Sequence, residues 1–275
     1  MKKTVEKRFS TGYGDIYYRL CICDAAAPWL IMLPGLTADH HLFDKQFEGL
    51  QEKYNCFSWD APAHGLSRPF ELKFTMWDIA RWLYEILQQE GIAKPVLVGQ
   101  SLGGYISQVF MEMYPDFAAG FISIDSCSLK RKYYTNWELA LLKRTKWMYM
   151  SIPWRWLIPW GVKGTSQSEY GRQLMKKTME SFSKKEYCEL ADHGYRILAE
   201  AVEAPKNYDI KCPVLLLCGE KDMAGSAKSY NKRWAAQDGH QLIWLKDAGH
   251  NANTDVPEKV NQLIDEFVSS IDFYK

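Results

Sequence analysis

Ser101 stands between two glycines in Gly99-Gln100-Ser101-Leu102-Gly103, directly after the strand-like run Pro95–Val98. Beyond it the period changes. Ile106, Val109, Phe110 and Met113 recur at i, i+3, i+4 and i+7, one face of a helix that stops before Pro115. A strand, a G-x-S-x-G turn and a helix lift a serine oxygen above the end of a sheet. Glycines at 99 and 103 let so sharp a turn close. The amide of Leu102, at the start of the helix, is free to meet a developing oxyanion. The bland alternative is a serine in an ordinary turn.

A serine hydroxyl is a weak nucleophile until a base takes its proton, and that base is best a histidine held by a carboxylate. His250 is the best placed of the six histidines, in Asp247-Ala248-Gly249-His250 just after the predicted strand Leu242–Leu245. Asp222 closes the run from Val214 through Cys218-Gly219-Glu220-Lys221. The order Ser101, Asp222, His250 along the chain fits a serine on a strand-to-helix elbow. Asp125, at the end of Phe121–Ile124, competes for the acid's role. Glu220 lies too early in its loop and reads as solvent-facing. His64 reads as a brace for its own loop. Of the adjacent His40 and His41, His40 is the candidate for the pocket. His193 and His240 have no neighbouring motif, and Asp15, Asp44 and Asp60 read as turn or loop residues.

These groups need a scaffold. Val5–Ser10 and Asp15–Cys21 flank Thr11-Gly12-Tyr13-Gly14, which predicts a hairpin. Trp29–Leu33 is a continuous apolar run ended by Pro34-Gly35, as suits a strand buried on both faces. Asn55–Trp59 predicts another strand. Phe74–Gln89 has helical spacing, with Trp77, Ala80, Arg81, Tyr84 and Leu87 on one side. Pro213–Leu217 adds a strand, and Asn253–Phe267 predicts a closing helix with Val256, Val260, Leu263, Ile264 and Phe267 inward. Strands alternating with helices give an α/β fold, a mostly parallel central sheet with helices on both faces. Residues 127–206 break the rhythm. They show no strand signal and hold five of the eleven tryptophans, which predicts a helical cap inserted into a core of 1–126 and 207–275.

The formal net charge is +1 and 24% of residues are charged, so no nucleic acid or strongly acidic partner is implied. No stretch reaches the roughly 18 apolar residues of a membrane span. The start MKKTVEKRFS is basic but lacks an apolar core, so it does not read as a secretory leader. Seven cysteines, most in apolar runs, read as reduced and packed, and a cytoplasmic setting is expected. No His/Cys/Asp cluster has ligand spacing and no phosphate loop is present, so neither metal nor cofactor is expected.

LPGLTAD, WDAPAHGLS, VGQSLGGY, LLLCGEKD and DAGH together resemble the α/β-hydrolase fold superfamily, in its small, capped form. The resemblance spans nearly the whole chain outside the cap. It implies Ser101 as nucleophile, His250 as base, Asp222 as its orienting acid, and the Leu36 and Leu102 amides as the oxyanion hole. Gly35 follows Pro34 where many relatives have His-Gly, which matters little because the backbone donates. Ala63 takes a place that is usually glycine. The implied activity is cleavage of a carboxylic ester through an acyl-enzyme on Ser101, the substrate apolar or acyl-glycerol-like. Carbon–carbon hydrolysis, lyase or cofactor-free haloperoxidase chemistry shares the scaffold, as does a non-catalytic ligand sensor. Dehalogenation fits less, since it wants an aspartate at position 101.

The segment from Asn136, NWELALLKRTKWMYMSIPWRWLIPWGVK, is aromatic and basic, with Lys143, Arg144, Lys146, Arg155 and Lys163 against Glu138. Three readings stand beside each other. The aromatics pack the cap onto the core, or they line a pocket with Met148, or they make an interfacial surface for peripheral lipid contact. The pocket reading names Trp137, Trp147, Met150 and Trp154 with His40.

Overall fold

The computed structural model describes residues 4–206 and 208–273. Residues 1–3, 207 and 274–275, at the ends of the two core segments expected from the sequence, lie outside them. The strands are β1 (Val5–Ser10), β2 (Asp15–Cys21), β3 (Trp29–Leu33), β4 (Asn55–Trp59), β5 (Val96–Gln100), β6 (Gly120–Ile124), β7 (Val214–Gly219) and β8 (Gln241–Leu245). They form one sheet in the order β1-β2-β4-β3-β5-β6-β7-β8. β1 pairs antiparallel with β2, and β2 with β4; every other neighbouring pair is parallel. Each residue of β4, β5 and β6 is buried, as strands covered on both faces require.

The helices are α1 (Asp44–Leu50), α2 (Met76–Gln89), α3 (Leu102–Met113), α4 (Asn136–Leu142), α5 (Thr145–Ser151), α6 (Trp154–Thr165), α7 (Glu169–Glu180), α8 (Lys184–Glu203), α9 (Ala227–Asp238), α10 (Ala252–Asp255) and α11 (Pro257–Ser269). Two apolar clusters follow. One joins α2, α3 and the second half of α8 to residues such as Ile31, Leu97 and Phe121. The other sets α1 and α11 against Leu30, Val98, Ile122 and Leu217. Successive strand residues belong to different clusters because side chains alternate across a sheet.

Four differences from the sequence reading have local causes. α2 turns Ile79, Leu83 and Ile86 inward and leaves Arg81 exposed, so its buried face is rotated from the expected one. Thr75 starts it, closing a reciprocal pair of hydrogen bonds with Asp78. The closing helix is broken at Val256, whose φ of −133° is not helical. A residue before proline is pushed out of the helical region, and Pro257 then opens α11 as its first residue. Asp44 is the first residue of α1 rather than part of a loop. α1 and α9 occupy stretches for which the sequence suggested no element.

Between β6 and β7 the described residues contain helices and no strand. None of the seven cysteines forms a disulfide, and five of them are buried. No helix among the described residues is long and apolar enough to cross a membrane.

Candidate active site

The parallel strands all end at one edge, and their register decides what meets there. Leu33 lies beside Gly99, so the loop carrying Leu36 leaves the sheet next to Ser101. Gln100 pairs with Ile124, Ile124 with Leu217, and Gly219 with Leu245. Asp125, Asp222 and His250 therefore issue from neighbouring strand ends. Loops at the carboxyl ends of parallel strands are where open α/β sheets place their ligands.

Ser101 has φ 48° and ψ −114° between β5 and α3. Such a conformation costs a non-glycine residue about 1–3 kcal/mol. Ser101 N–H donates to Ile124 O at 3.0 Å, and Ser101 O accepts from Gly104 N–H at 2.9 Å. A Cβ on Gly99 would lie 2.5 Å from the Gly103 backbone, and one on Gly103 only 1.8 Å from Leu33 O. Both positions admit glycine alone.

His250 Nε2 lies 2.9 Å from Ser101 Oγ, and its Nδ1 lies 3.2 and 3.1 Å from the two Asp222 oxygens. This network assigns the proton to Nδ1, which leaves Nε2 to accept from the serine hydroxyl. Asp222 is buried and also accepts from Ala224 N–H at 2.8 Å. Burial alone would lower the His250 pKa. The charge and hydrogen bond of Asp222, with the charge of Asp125, outweigh it and raise the pKa above the ordinary histidine value.

Asp125 is spent elsewhere. Its carboxylate accepts from Gly219 N–H at 2.7 Å and from Ala252 N–H at 3.3 Å, fastening the end of β7 to the segment after His250. Burial first, then the charge of Asp222, holds its carboxyl well above the usual range. Of the two candidate acids, Asp222 is the one on the imidazole.

A cavity of about 480 Å³ opens over Ser101 and His250. Leu36 and Leu102 border it, and among the described residues neither of their amides donates to a protein acceptor. Tyr105, Tyr134, Leu142, Tyr149 and Leu198 form apolar walls, and Trp137, Leu141 and Met148 also border it. Trp137 is thus on the cavity, as the sequence suggested. Trp147, Met150, Trp154 and His40 are not among its lining residues. On α5, Thr145, Met148 and Tyr149 share the cavity face at i, i+3 and i+4, so Trp147 and Met150 fall on another face and are exposed. Trp154 packs on Tyr187 with ring centroids 5.3 Å apart. His40 is buried against Asp60, whose Oδ1 takes both its backbone N–H at 2.7 Å and its ring Nδ1 at 2.8 Å.

A family model described as alpha/beta hydrolase fold matches residues 28–170. The chain belongs to this family. Its similarity to 3-oxoadipate enol-lactonase 1 of Acinetobacter baylyi is 25% identity over 258 residues, covering 89% of this chain and 90% of that one. Among solved structures, a hydrolase from Pseudomonas aeruginosa superposes with a TM-score of 0.79 at 17% identity, covering 96% of this chain and 98% of that one. A thermophilic esterase from Thermogutta terrifontis gives 0.74 at 20% identity, covering 97% and 98%.

Several side chains of this hydrolase-fold chain carry positioning work that their sequence context does not announce. Gln100, a variable position of the elbow motif, is buried and donates from Nε2 to His250 O at 2.8 Å. Asp255 accepts from Gly249 N–H at 2.8 Å and from the amides of Gln167 and Ser168 at 2.8–2.9 Å. Asn251 N–H donates to Thr165 O at 2.8 Å. The loop that carries His250 is thus fastened to the sheet and to the turn between α6 and α7. Asp60 is a hub rather than a plain loop residue: besides His40 it accepts from Leu66 N–H at 2.6 Å. His64 is buried with Nδ1 3.0 Å from Pro62 O, and burial lowers its pKa. Ala63 adopts φ 70°, the conformation that explains the usual glycine there.

Among the described residues, two groups place potential metal donors within 4.8 Å of one another: Asp39 with His40 and His41, and Asp125 with Cys218 and Asp222. Hydrogen bonds within the protein already engage His40 with Asp60, His41 with Asp44, and Asp222 with His250. The donors serve the loops they belong to.

Proposed function

We propose that the chain is a serine hydrolase of carboxylic esters, working through an acyl-enzyme on Ser101. The observation that carries this is the unbroken contact path from Ser101 Oγ through the imidazole to Asp222, set in the floor of an apolar cavity. The substrate carbonyl carbon meets Ser101 Oγ while His250 Nε2 takes the proton. The imidazolium is held by the Asp222 carboxylate, and the oxyanion accepts from the amides of Leu36 and Leu102. His250 returns the proton to the leaving alkoxide as the tetrahedral intermediate collapses. Water, deprotonated by the same nitrogen, then attacks the acyl-enzyme and frees the acid.

Residues 127–206 serve as the cap in this reading, and the cavity's apolar walls favour an ester with an apolar acyl or alcohol part. The similarity to an enol-lactonase is in keeping, since a lactone is a cyclic ester. Cysteines outside any disulfide favour a reducing, cytoplasmic setting.

A fluorophosphonate probe located by mass spectrometry tests the nucleophile. Label on Ser101, absent from Ser101→Ala, is the expected result; no label in folded protein overturns the reading. A chain-length series of esters tests the substrate class, and faster cleavage of acetyl than of medium-chain esters would overturn it.

A further inference from the structure

The tryptophans of the cap are largely on its outside. Trp147 is 80% exposed, Trp137 72%, Trp160 61% and Trp156 52%. Large aromatics seldom stay in water without a partner, and rings with one apolar and one polar side suit a membrane interface. Their setting is cationic. From 139 to 168 there is no Asp or Glu, while Lys143, Arg144, Lys146, Arg155 and Lys163 fall within that stretch. Lys143 and Lys146 pair with Glu203 and Glu189 of α8. Among the described residues Arg144, Arg155 and Lys163 have no acidic partner, and Arg155 instead lies over the Trp156 ring at 5.4 Å. On the chain as a whole the net charge is only +1, so the segment from 139 to 168 is a local concentration of positive charge.

We propose that α4, α5 and α6 dock on an anionic lipid surface. The tryptophans enter the headgroup region and the cations meet lipid phosphates. A second hollow of about 380 Å³, bordered by Ile158, Pro159 and Val162 with Lys163, Arg172 and Lys176, has the mixed character that a phosphate and the start of an acyl chain require. A second copy of the chain is the other apolar partner to weigh, but two such surfaces would bring like charges together. The cavity over Ser101 is bordered by Trp137, Leu141 and Met148, all exposed residues of the docking helices. Docking therefore puts the cavity's rim at the lipid. Delivery of a lipid-derived ester to Ser101 rests on the serine-hydrolase reading; docking itself does not.

Flotation with vesicles separates the outcomes. The full chain should float with vesicles of phosphatidylcholine and phosphatidylglycerol, weakly with phosphatidylcholine alone, and should be released by high salt. Trp147→Ala with Trp160→Ala should weaken binding at least about tenfold, as should Arg144→Glu with Lys163→Glu. All four residues lie outside the cavity lining, so turnover of a water-soluble short ester should stay unchanged and would report intact folding. Ser101→Ala should bind vesicles like the parent. Equal binding by the parent and both variants, or none by the parent, overturns docking. Self-association in sedimentation that the tryptophan variant abolishes would assign the surface to a second copy instead. Vesicle binding without probe labelling of Ser101 would keep docking and remove the hydrolase reading.

Discussion

The loop that carries His250 and the helix α5 both border the cavity, and they are held by opposite means. The loop is tied by polar bonds at nearly every residue: Gly249 to Asp255, His250 to Gln100, Asn251 to Thr165. In α5 only Thr145 is buried, and its outer face shows Trp147 and Met150 to water. Acyl chemistry needs atoms fixed to fractions of an ångström, and buried hydrogen bonds supply that. A surface that meets apolar material needs area rather than precision, and exposed rings supply that. Substitutions in the loop should therefore act on the rate and on folding, and substitutions in α5 on what comes to the cavity.

Ser101→Ala should show the largest effect, a loss on the order of 10⁶ in kcat for ester turnover. Asp222→Asn should cost about 10⁴ in kcat, because the imidazole loses its orienting charge. The pH profile of that variant sharpens the point. In the parent the acid limb of kcat/KM should lie above the ordinary histidine value, since His250 works unprotonated and its pKa is raised. Without the Asp222 charge, the smaller effect of Asp125 is left against burial, so the limb should move to lower pH. A limb that stays in place would show that Asp222 does not face the base. Asp255→Ala should destabilise the fold by about 2–3 kcal/mol in chemical denaturation, because it strands three buried or half-buried amides. It should also lower kcat more than it raises KM. The smallest effect belongs to Trp147→Ala, whose turnover of a water-soluble ester should stay within about twofold of the parent. A large loss there would break the contrast between the two regions.

The core was legible where its sequence was redundant. Trp29–Leu33 and Asn55–Trp59 announce buried strands by continuous apolar runs, and both appear with those bounds. The elbow was readable because glycine is needed on either side of Ser101. α1 and α9 were not readable: α1 is only seven residues long, and α9 is mostly polar with a weak apolar periodicity. The cavity lining was half readable. Residues 145–150 contain Trp147, Met148, Tyr149 and Met150 in a row, and composition alone does not say which of the four turns inward. The helix phase relative to α8 decides it, and Met148 and Tyr149 are selected. Gln100 and Asp255 were invisible for another reason: the nearest partner of Gln100 and the amides that Asp255 gathers are backbone groups, which carry no sequence signature.

The three amides gathered by Asp255 have a mechanical consequence. They belong to two segments far apart in the chain, the turn at Gln167 and Ser168 and the loop at Gly249. One carboxylate rivets these segments together, so this part of the helical region between β6 and β7 is expected to stay with the His250 loop. Any widening of the entrance should then be greatest away from it, where α4 follows β6. Hydrogen exchange should show it as a gradient. The amides of Gln167, Ser168 and Gly249 would exchange slowly and in step, while those around Trp137 would exchange first.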